Sequence, residues 1–175
     1  MLAFSPNARA DAMLTTDMTS AQALGDILPG IPTGDADITQ YVNNMIGLGL
    51  GGSDTVTING QTNTVNRSMN NFGTLPNAQL SSRGGPLDPI NLGSTAGVYL
   101  YLFAKYDGPN QGSFVWYVGN LTGMITIPQT WNGYGLSGWA LFTGPGGPVP
   151  DGGTTVMLLG AALGALGVVR RYMIG

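Results

Sequence analysis

Carboxylates are almost the only side chains in this sequence suited to acid–base catalysis or metal binding. All nine acidic residues are Asp, and the chain contains no Glu, no His and no Cys. A Ser-His-Asp triad, a Cys-His pair, thiol redox chemistry and a zinc site with His or Cys ligands are therefore excluded. The chemistries that remain are an Asp pair, as in glycoside hydrolysis, and an oxygen-ligand site for calcium.

The positions of the Asp residues favour a structural role over either chemistry. Several lie at predicted turns or helix caps, where a short carboxylate accepts local backbone hydrogen bonds. These residues are Asp37, Asp54, Asp88 and Asp107. Asp35, Asp37 and Thr33 could offer oxygen ligands to calcium, but they do not form the DxDxDG loop pattern. We expect no catalytic residue, no metal site and no cofactor.

Aromatic side chains cluster in the last third of the chain and could stack on sugar rings. They are Trp116, Tyr117, Trp131, Tyr134 and Trp139. Large rings also supply much of the buried area of a protein core, so filling the interior is the alternative role. The sequence offers Trp131, Tyr134 and Trp139 as candidates for carbohydrate contact.

The most informative segment lies near the C-terminus. Residues 154–169 carry no polar side chain apart from Thr154 and Thr155, and Arg170 and Arg171 follow directly. A run that is apolar all round and ends at two arginines is typical of a transmembrane helix with a cytoplasmic flank. A buried helix of a soluble core is the alternative. Three glycines are spaced for close approach of another helix, namely Gly160, Gly164 and Gly167.

A Gly/Pro linker at residues 144–148 and a short motif precede this run. The motif consists of Val149, Pro150, Asp151, Gly152 and Gly153. This motif, a short Gly/Ala/Leu helix and Arg-Arg, in that order, resemble the PEP-CTERM class of bacterial sorting signals. The closest variant is the one named after Val-Pro-Asp-Ser-Gly, in which Ser usually occupies the position of Gly152. The resemblance covers residues 149–172.

The resemblance implies that the tail, residues 149–175, is a processing address. Tails of this class are held in the inner membrane and recognised by an exosortase, an integral-membrane enzyme similar to a transpeptidase. Removal of the tail then delivers the body to the outside of the cell. Carried onto this sequence, residues 149–153 are the recognition motif, and Arg170 and Arg171 are the cytoplasmic stop. The implied partners are an exosortase, the inner membrane transiently, and the exopolysaccharide of an outer matrix.

The N-terminus carries part of the pattern of a secretory signal. Residues 1–10 end in Ala8-Arg9-Ala10, which is similar to a cleavage site, but they have no basic region followed by an apolar one. Because a sorting tail requires export, we expect a remnant of a signal peptide whose start lies upstream. A truncated gene fragment and an ordinary polar tail are the alternatives.

The body at residues 11–143 is predicted to be mainly β, after one or two short helices. Apolar spacing predicts helices near residues 19–28 and 37–46, each beginning at a capping box. Asn59-Gly60 between two Thr/Val-rich runs predicts a β-hairpin.

The second half of the body continues the β pattern. Residues 98–106 are apolar on both faces, which is typical of a strand covered on both sides. Shorter strands are predicted at 113–118, 124–127 and 138–142, while residues 66–89 have the composition of a long loop. Strands separated by turn signals predict a small antiparallel β-sandwich or jelly roll.

Composition limits the function further. Charged residues make up 9% of the chain and the net charge is −3, which argues against binding nucleic acid. The sequence therefore predicts a non-enzymatic cell-surface or matrix protein, at the inner membrane before processing and outside the cell afterwards. The alternative is a carbohydrate-binding β-sandwich on the same anchor, and a hydrolase that uses only Asp, Ser, Tyr and Arg is the third class.

Overall fold

The computed structural model describes residues 12–29, 34–107 and 112–147. Within this part the chain forms eleven strands and one α-helix, so the prediction of a mainly β body is confirmed. The helix is α1 (Asp35–Gly47). The strands are β1 (Ala12–Met13), β2 (Ala23–Leu28), β3 (Ser53–Ile58), β4 (Gln61–Arg67), β5 (Gln79–Gly84), β6 (Ile90–Asn91), β7 (Tyr101–Tyr106), β8 (Ser113–Tyr117), β9 (Met124–Thr126), β10 (Thr130–Trp131) and β11 (Tyr134–Thr143).

Most strands belong to one eight-stranded sheet. Its order is β10-β11-β7-β8-β2-β4-β3, and β5 pairs with the outer side of β11. All pairs in this sheet are antiparallel. The central strand β7 is buried on both faces, as the sequence predicts, because its side chains are apolar at both odd and even positions.

A tight turn fixes the register at one edge of this sheet. Asn59 and Gly60 have φ angles of 51° and 80°, as a type I′ turn requires, and they join β3 to β4. Six consecutive residue pairs follow without a bulge, from Ile58↔Gln61 to Ser53↔Asn66. The hairpin predicted from the Asn-Gly pair is therefore confirmed.

Helix α1 covers one face of the large sheet, which we call the helix face. Ile38, Tyr41, Val42 and Met45 recur at helical spacing and are buried against the sheet. The predicted capping box at Asp37 is wrong, because the N-cap is Gly34 and it makes no side-chain cap hydrogen bond. Asp37 lies in the first turn, where its carboxylate favours the positive end of the helix dipole.

A three-stranded sheet, in the order β1-β9-β6, covers part of the other face of the large sheet, which we call the opposite face. Its strands have only two or three residues each, and β1 pairs with β9 in parallel. Ile90 and Ile125 from this sheet pack on Leu102, Phe114 and other residues of the large sheet. The two sheets are thus unequal in size, unlike those of a jelly roll.

Two sequence predictions for the body are wrong. The helix predicted near residues 19–28 is strand β2, whose apolar residues are buried between β4 and β8. A short apolar run has the same composition in a buried strand and in a buried helix, so tertiary pairing decides between them. The predicted loop at residues 66–89 contains β5, which pairs with β11 far along the chain.

Two other predictions lie outside the described residues, namely the signal-peptide remnant at 1–10 and the transmembrane helix at 154–169. Within the described ranges, no helix has both the length and the apolar character needed to cross a bilayer.

Candidate functional site: the C-terminal signal and the surfaces of the body

The chain approaches its C-terminal segment through an ordered turn on the body. Strand β11 ends at Thr143, and the Gly147 amide then donates to the Gly144 carbonyl at 3.0 Å. Pro145 in the second position and Gly146 with a φ of 76° in the third form a type II turn. Residues 144–147, the start of the predicted linker, are therefore a hydrogen-bonded turn.

Close packing holds this turn against the body. A Cβ atom on Gly144 would lie 3.1 Å from Leu100 Cδ1 and 3.4 Å from Pro76 Cγ. The Leu100 amide also donates to the carbonyl of Phe142, two residues before the turn. The body thus fixes the position of the turn at residues 144–147.

The predicted signal itself lies outside the described residues. This applies to the recognition motif, the two arginines and the three glycines spaced for helix packing. They are Val149, Pro150, Asp151, Gly152, Gly153, Arg170, Arg171, Gly160, Gly164 and Gly167. Their assignment therefore depends on the sequence.

The three candidate carbohydrate residues lie along one hairpin and its continuation. Trp131 and Tyr134 face each other across the β10–β11 turn, and Trp139 lies further along β11. Trp139 is only 8% exposed, and its Nε1 donates to the Asp88 carbonyl at 3.2 Å. Trp131 and Tyr134 are partly buried against the core. None of the three presents a fully exposed ring.

The other two aromatic residues of the cluster are mainly structural. Trp116 is fully buried, and its Nε1 donates to the Thr15 carbonyl at 2.7 Å. Tyr117 is half-buried and stacks on Phe72 with ring centroids 4.6 Å apart. Core packing therefore accounts for these two rings.

A groove of about 280 Å³ lies beside Trp139, and we call it the Trp139 groove. Its lining combines apolar side chains with a few polar ones, which is the usual composition of a small-molecule site. The lining includes Trp139, Leu136, Ile127, Thr126, Gln129 and Asp88. This groove combines the Trp139 ring with the hydrogen-bonding groups of Thr126, Gln129 and Asp88.

A second basin, of about 360 Å³, lies across β5, β7 and β11. Arg83 and Lys105 line it, but both charges are compensated locally. Arg83 pairs with Asp35 at the start of α1, and Lys105 Nζ lies 3.6 Å from the Asp107 carboxylate. The basin therefore has no excess of positive charge to attract an anion.

Most carboxylates in the described part serve local structure. The Asp88 carboxylate accepts from the Gly85 amide at 2.6 Å, and the Asp54 carboxylate accepts from the Thr55 amide at 2.8 Å. Hydrogen bonds from Thr19 hold the pKa of Asp17 below its usual value. Among residues 12–29, 34–107 and 112–147, no three potential metal ligands cluster together.

Asp26 is the exception, because it lies within the sheet. It is 8% exposed and sits on β2 opposite Asn66, whose Nδ2 donates to Asp26 Oδ1 at 2.7 Å. Burial raises the pKa of this carboxyl group, while the hydrogen bond from Asn66 opposes the shift. Among the carboxylates that the structure describes, Asp26 is the one that is buried, and a single buried carboxylate does not make the pair that glycoside hydrolysis needs.

Sequence reasoning missed a buried cation at the end of β4. Arg67 is 4% exposed, and its guanidinium lies 5.6 Å from the centre of the Phe72 ring. In the sequence this arginine stands among Asn and Ser residues, so no local pattern marks it as buried.

Comparison with known proteins identifies the C-terminal segment. The family model described as the VPDSG-CTERM motif matches residues 148–173. Searches of curated proteins and of solved structures found no match to the chain. Signals of this type are processed by an exosortase and imply a secreted or cell-surface protein that is transiently associated with the membrane. Residues 148–173 are therefore a VPDSG-CTERM motif, a PEP-CTERM-like exosortase sorting signal at the C-terminus of this chain.

Proposed function

We propose that this chain is a non-enzymatic cell-surface or matrix protein, which an exosortase releases from its C-terminal anchor. The observation that carries the proposal is the match of residues 148–173 to the VPDSG-CTERM motif. In this proposal residues 154–169 hold the precursor in the inner membrane. The body is already on the outer side when the tail is removed.

The order of the segments supports this mechanism. Pro150 disfavours helix in the residue before it, so residues 149–153 can extend at the membrane surface towards the enzyme. Arg170 and Arg171 then remain on the cytoplasmic side, as the positive-inside rule requires. Gly160, Gly164 and Gly167 let another helix, such as one of the exosortase, approach closely.

The turn at residues 144–147 supports the proposal because it anchors the chain on the body just before the recognition motif. It is hydrogen-bonded and packed on Leu100, so the recognition motif begins only two residues beyond an anchored point. We propose that this short separation keeps the folded body close to the membrane surface until cleavage. In this proposal residues 148–153 form the whole segment that the exosortase recognises.

A non-enzymatic role is supported by the chemistry of the side chains. The sequence has no His, which is the commonest general base in enzymes. It also has no Cys, whose thiolate is a strong nucleophile. Most described carboxylates accept hydrogen bonds from nearby amides or pair with a cation, as Asp88 and Asp35 do. Turnover of a polysaccharide that is lost when one Asp is replaced would contradict this part of the proposal.

The test is co-expression of the full chain with a matching exosortase. We expect a product that is shorter by about 25 residues, the distance from Pro150 to the C-terminus. Asp151→Asn should reduce processing, because it removes the carboxylate of the recognition motif. Asp107→Asn is the matched control, since it makes the same charge change at an exposed position in the body. Equal processing of the two variants would contradict the assigned role of Asp151.

A second candidate function is carbohydrate binding by the same exported body. The observation that favours it is the Trp139 groove, which places Thr126, Gln129 and Asp88 around an apolar floor. Sugar rings offer apolar faces and hydroxyl groups, and this combination could bind both. Trp131 and Tyr134 lie on the hairpin that borders the groove.

The carbohydrate candidate is tested best with residues at the rim, because Trp139 supports the core. Gln129→Ala and Thr126→Ala remove exposed hydrogen-bonding groups without opening a cavity. We expect both to weaken any glycan binding detected on an array. Thr57→Ala, an exposed threonine on β3, is the matched control. If the wild-type chain binds no glycan, or if all three variants bind equally well, this candidate is wrong.

A further inference from the structure

A third concave surface lies at the end of β4, away from the Trp139 groove. It has a volume of about 350 Å³, within the range of small-molecule sites. We call it the Arg67 cavity. It is lined by Met18, Thr19, Arg67, Ser68, Met69 and Asn70.

Arg67 forms part of the wall of this cavity and is almost fully buried. Its guanidinium donates to the Leu24 carbonyl at 2.9 Å, to Ser68 Oγ at 3.0 Å and to the Asn70 carbonyl at 3.2 Å. Two of these acceptors belong to residues that also line the cavity. The guanidinium is thus held in a fixed orientation beside the cavity.

All three acceptors are neutral. Within the described ranges, the ion pairs are those of Arg83 with Asp35 and of Lys105 with Asp107, so Arg67 has no carboxylate partner there. Burial lowers the pKa of Arg67, but a guanidinium remains protonated at any ordinary pH. The three hydrogen bonds and the Phe72 ring compensate part of the cost of burying this charge, and within the described ranges no opposite charge adds to them.

The rest of the wall is largely apolar. Met18 and Met69 present thioether side chains, which are flexible and adapt to ligands of different shape. Met69 is 74% exposed, one of three large apolar side chains in the described part that are more than half exposed, with Met13 and Leu87. The cavity therefore combines one cation that lacks an anionic partner with an adaptable apolar wall.

We propose that the Arg67 cavity binds an aliphatic monocarboxylate, with its carboxylate at the Arg67 guanidinium and its hydrocarbon chain against Met18 and Met69. Three of the five guanidinium hydrogens are used by Leu24, Ser68 and Asn70, so a carboxylate would accept from the remaining hydrogens on Nη2 and Nε, in charge-assisted bonds stronger than those to a neutral acceptor. The hydrocarbon chain of the ligand would cover the exposed thioether of Met69. This inference is independent of the sorting signal.

The probes are hexanoate, 1-hexanol and acetate, titrated into the full chain and followed through the methionine methyl signals in NMR spectra. Hexanoate should shift the methyl signals of Met18 and Met69 and leave that of Met13 unchanged. Acetate lacks the hydrocarbon chain of hexanoate, and 1-hexanol lacks its charge. Each should therefore bind at least about tenfold more weakly than hexanoate. Equal binding of hexanol and hexanoate, or shifts confined to other methionines, would overturn the proposal.

A matched pair of variants tests the position of the charge. Met69→Asp places a carboxylate at the cavity, where it should pair with Arg67 and weaken hexanoate binding by about tenfold or more. Met13→Asp makes the same change at a side chain that is 75% exposed, against 74% for Met69, and should leave binding unchanged. Equal effects of the two variants would also overturn the proposal.

Discussion

The two ends of the large sheet differ in how many of their faces are covered. Strands β7, β8 and β11 lie between helix α1 and the three-stranded sheet, so their side chains are buried on both faces. Strands β3 and β4 bury side chains on the helix face alone. Ile58 of β3 and Val65 of β4 belong to the core cluster that includes helix α1. The opposite face of these strands carries Ser53, Thr55 and Thr57 from β3, all exposed.

The difference explains how a body with so few charges can present a polar surface. In β7 both alternating sets of residues are apolar, whereas in β3 only Val56 and Ile58 are, and the intervening residues are threonines. Thr57 and Thr62 bond to each other through their hydroxyl groups at 2.8 Å across the hairpin. Uncharged hydroxyl groups thus replace the charged side chains that usually cover an exposed sheet face.

The largest effect is expected at the doubly covered end. Trp116→Ala removes a fully buried ring that packs on Phe114 at 4.8 Å and donates to the Thr15 carbonyl. Such truncations typically cost about 3–5 kcal/mol, a large part of the stability of a domain. Urea unfolding followed by tryptophan fluorescence and circular dichroism would measure the loss.

Trp116→Phe is the control for this variant, since it keeps most of the apolar contact and loses the hydrogen bond. It should cost clearly less than Trp116→Ala. A loss below about 1 kcal/mol for Trp116→Ala would show that the opposite face is not a packed core at β8.

An intermediate effect is expected at Asp26, which lies between the two ends of the sheet. Burial holds the pKa of its carboxyl group above 3.8, its ordinary value, so the folded state keeps the proton to a higher pH than the unfolded state does. Its contribution to stability is therefore present below pH 3.8 and is lost as the pH rises through the folded-state pKa.

Asp26→Asn should therefore gain stability relative to the wild type as the pH rises, and the gain should level off near neutral pH. Denaturant midpoints measured from pH 3 to pH 8 would follow the difference, and Asp54→Asn, at an exposed position on β3, is the control. A gain that is largest at the lowest pH would contradict the raised pKa.

The smallest effect is expected on the exposed face. Thr55→Val and Thr64→Val replace hydroxyl groups by methyl groups on the face that no other element of the described ranges covers. Each should change the free energy of unfolding by less than about 0.5 kcal/mol, while light scattering should report more self-association. A cost near 2 kcal/mol would mean that these threonines are buried by a further part of the protein.

Local signals in the sequence predicted the parts of the fold that local chemistry determines. Asn59-Gly60 adopts the positive φ angles of a type I′ turn, and the apolar spacing from Ile38 to Met45 marks helix α1. The same Asn-Gly signal recurs at Asn132-Gly133, with φ angles of 49° and 83°, and could have identified the β10–β11 hairpin. These signals need no information from distant residues.

Parts that depend on distant pairing were missed. The spacing of Ala23, Leu24, Ile27 and Leu28 fits a helix, but β4 and β8 on either side make it a strand. Strand β5 is polar and is defined only by its pairing with β11. In the small sheet only β9 was predicted, at residues 124–127, while β1 and β6, of two residues each, are too short to leave a pattern in the sequence.

The candidate sites divide in the same way. The sorting signal could be recognised from the sequence because an enzyme reads it as a linear motif, together with the apolar run and Arg170-Arg171. The burial of Arg67 could not, because it follows from the position of β4 beside β2 and from the ring of Phe72. The Trp139 groove likewise exists only once β6, β9 and β11 are brought together.

We expect the exported protein to lose its C-terminal segment at the VPDSG-CTERM motif. The most direct test is the intact mass of surface-exposed protein, with sequencing of its C-terminal peptide, from cells that contain or lack the exosortase. We predict a C-terminus near Pro150 and the loss of about 25 residues only when the enzyme is present. Surface-exposed protein that retains Arg170, Arg171 and the full mass in both strains would contradict this prediction.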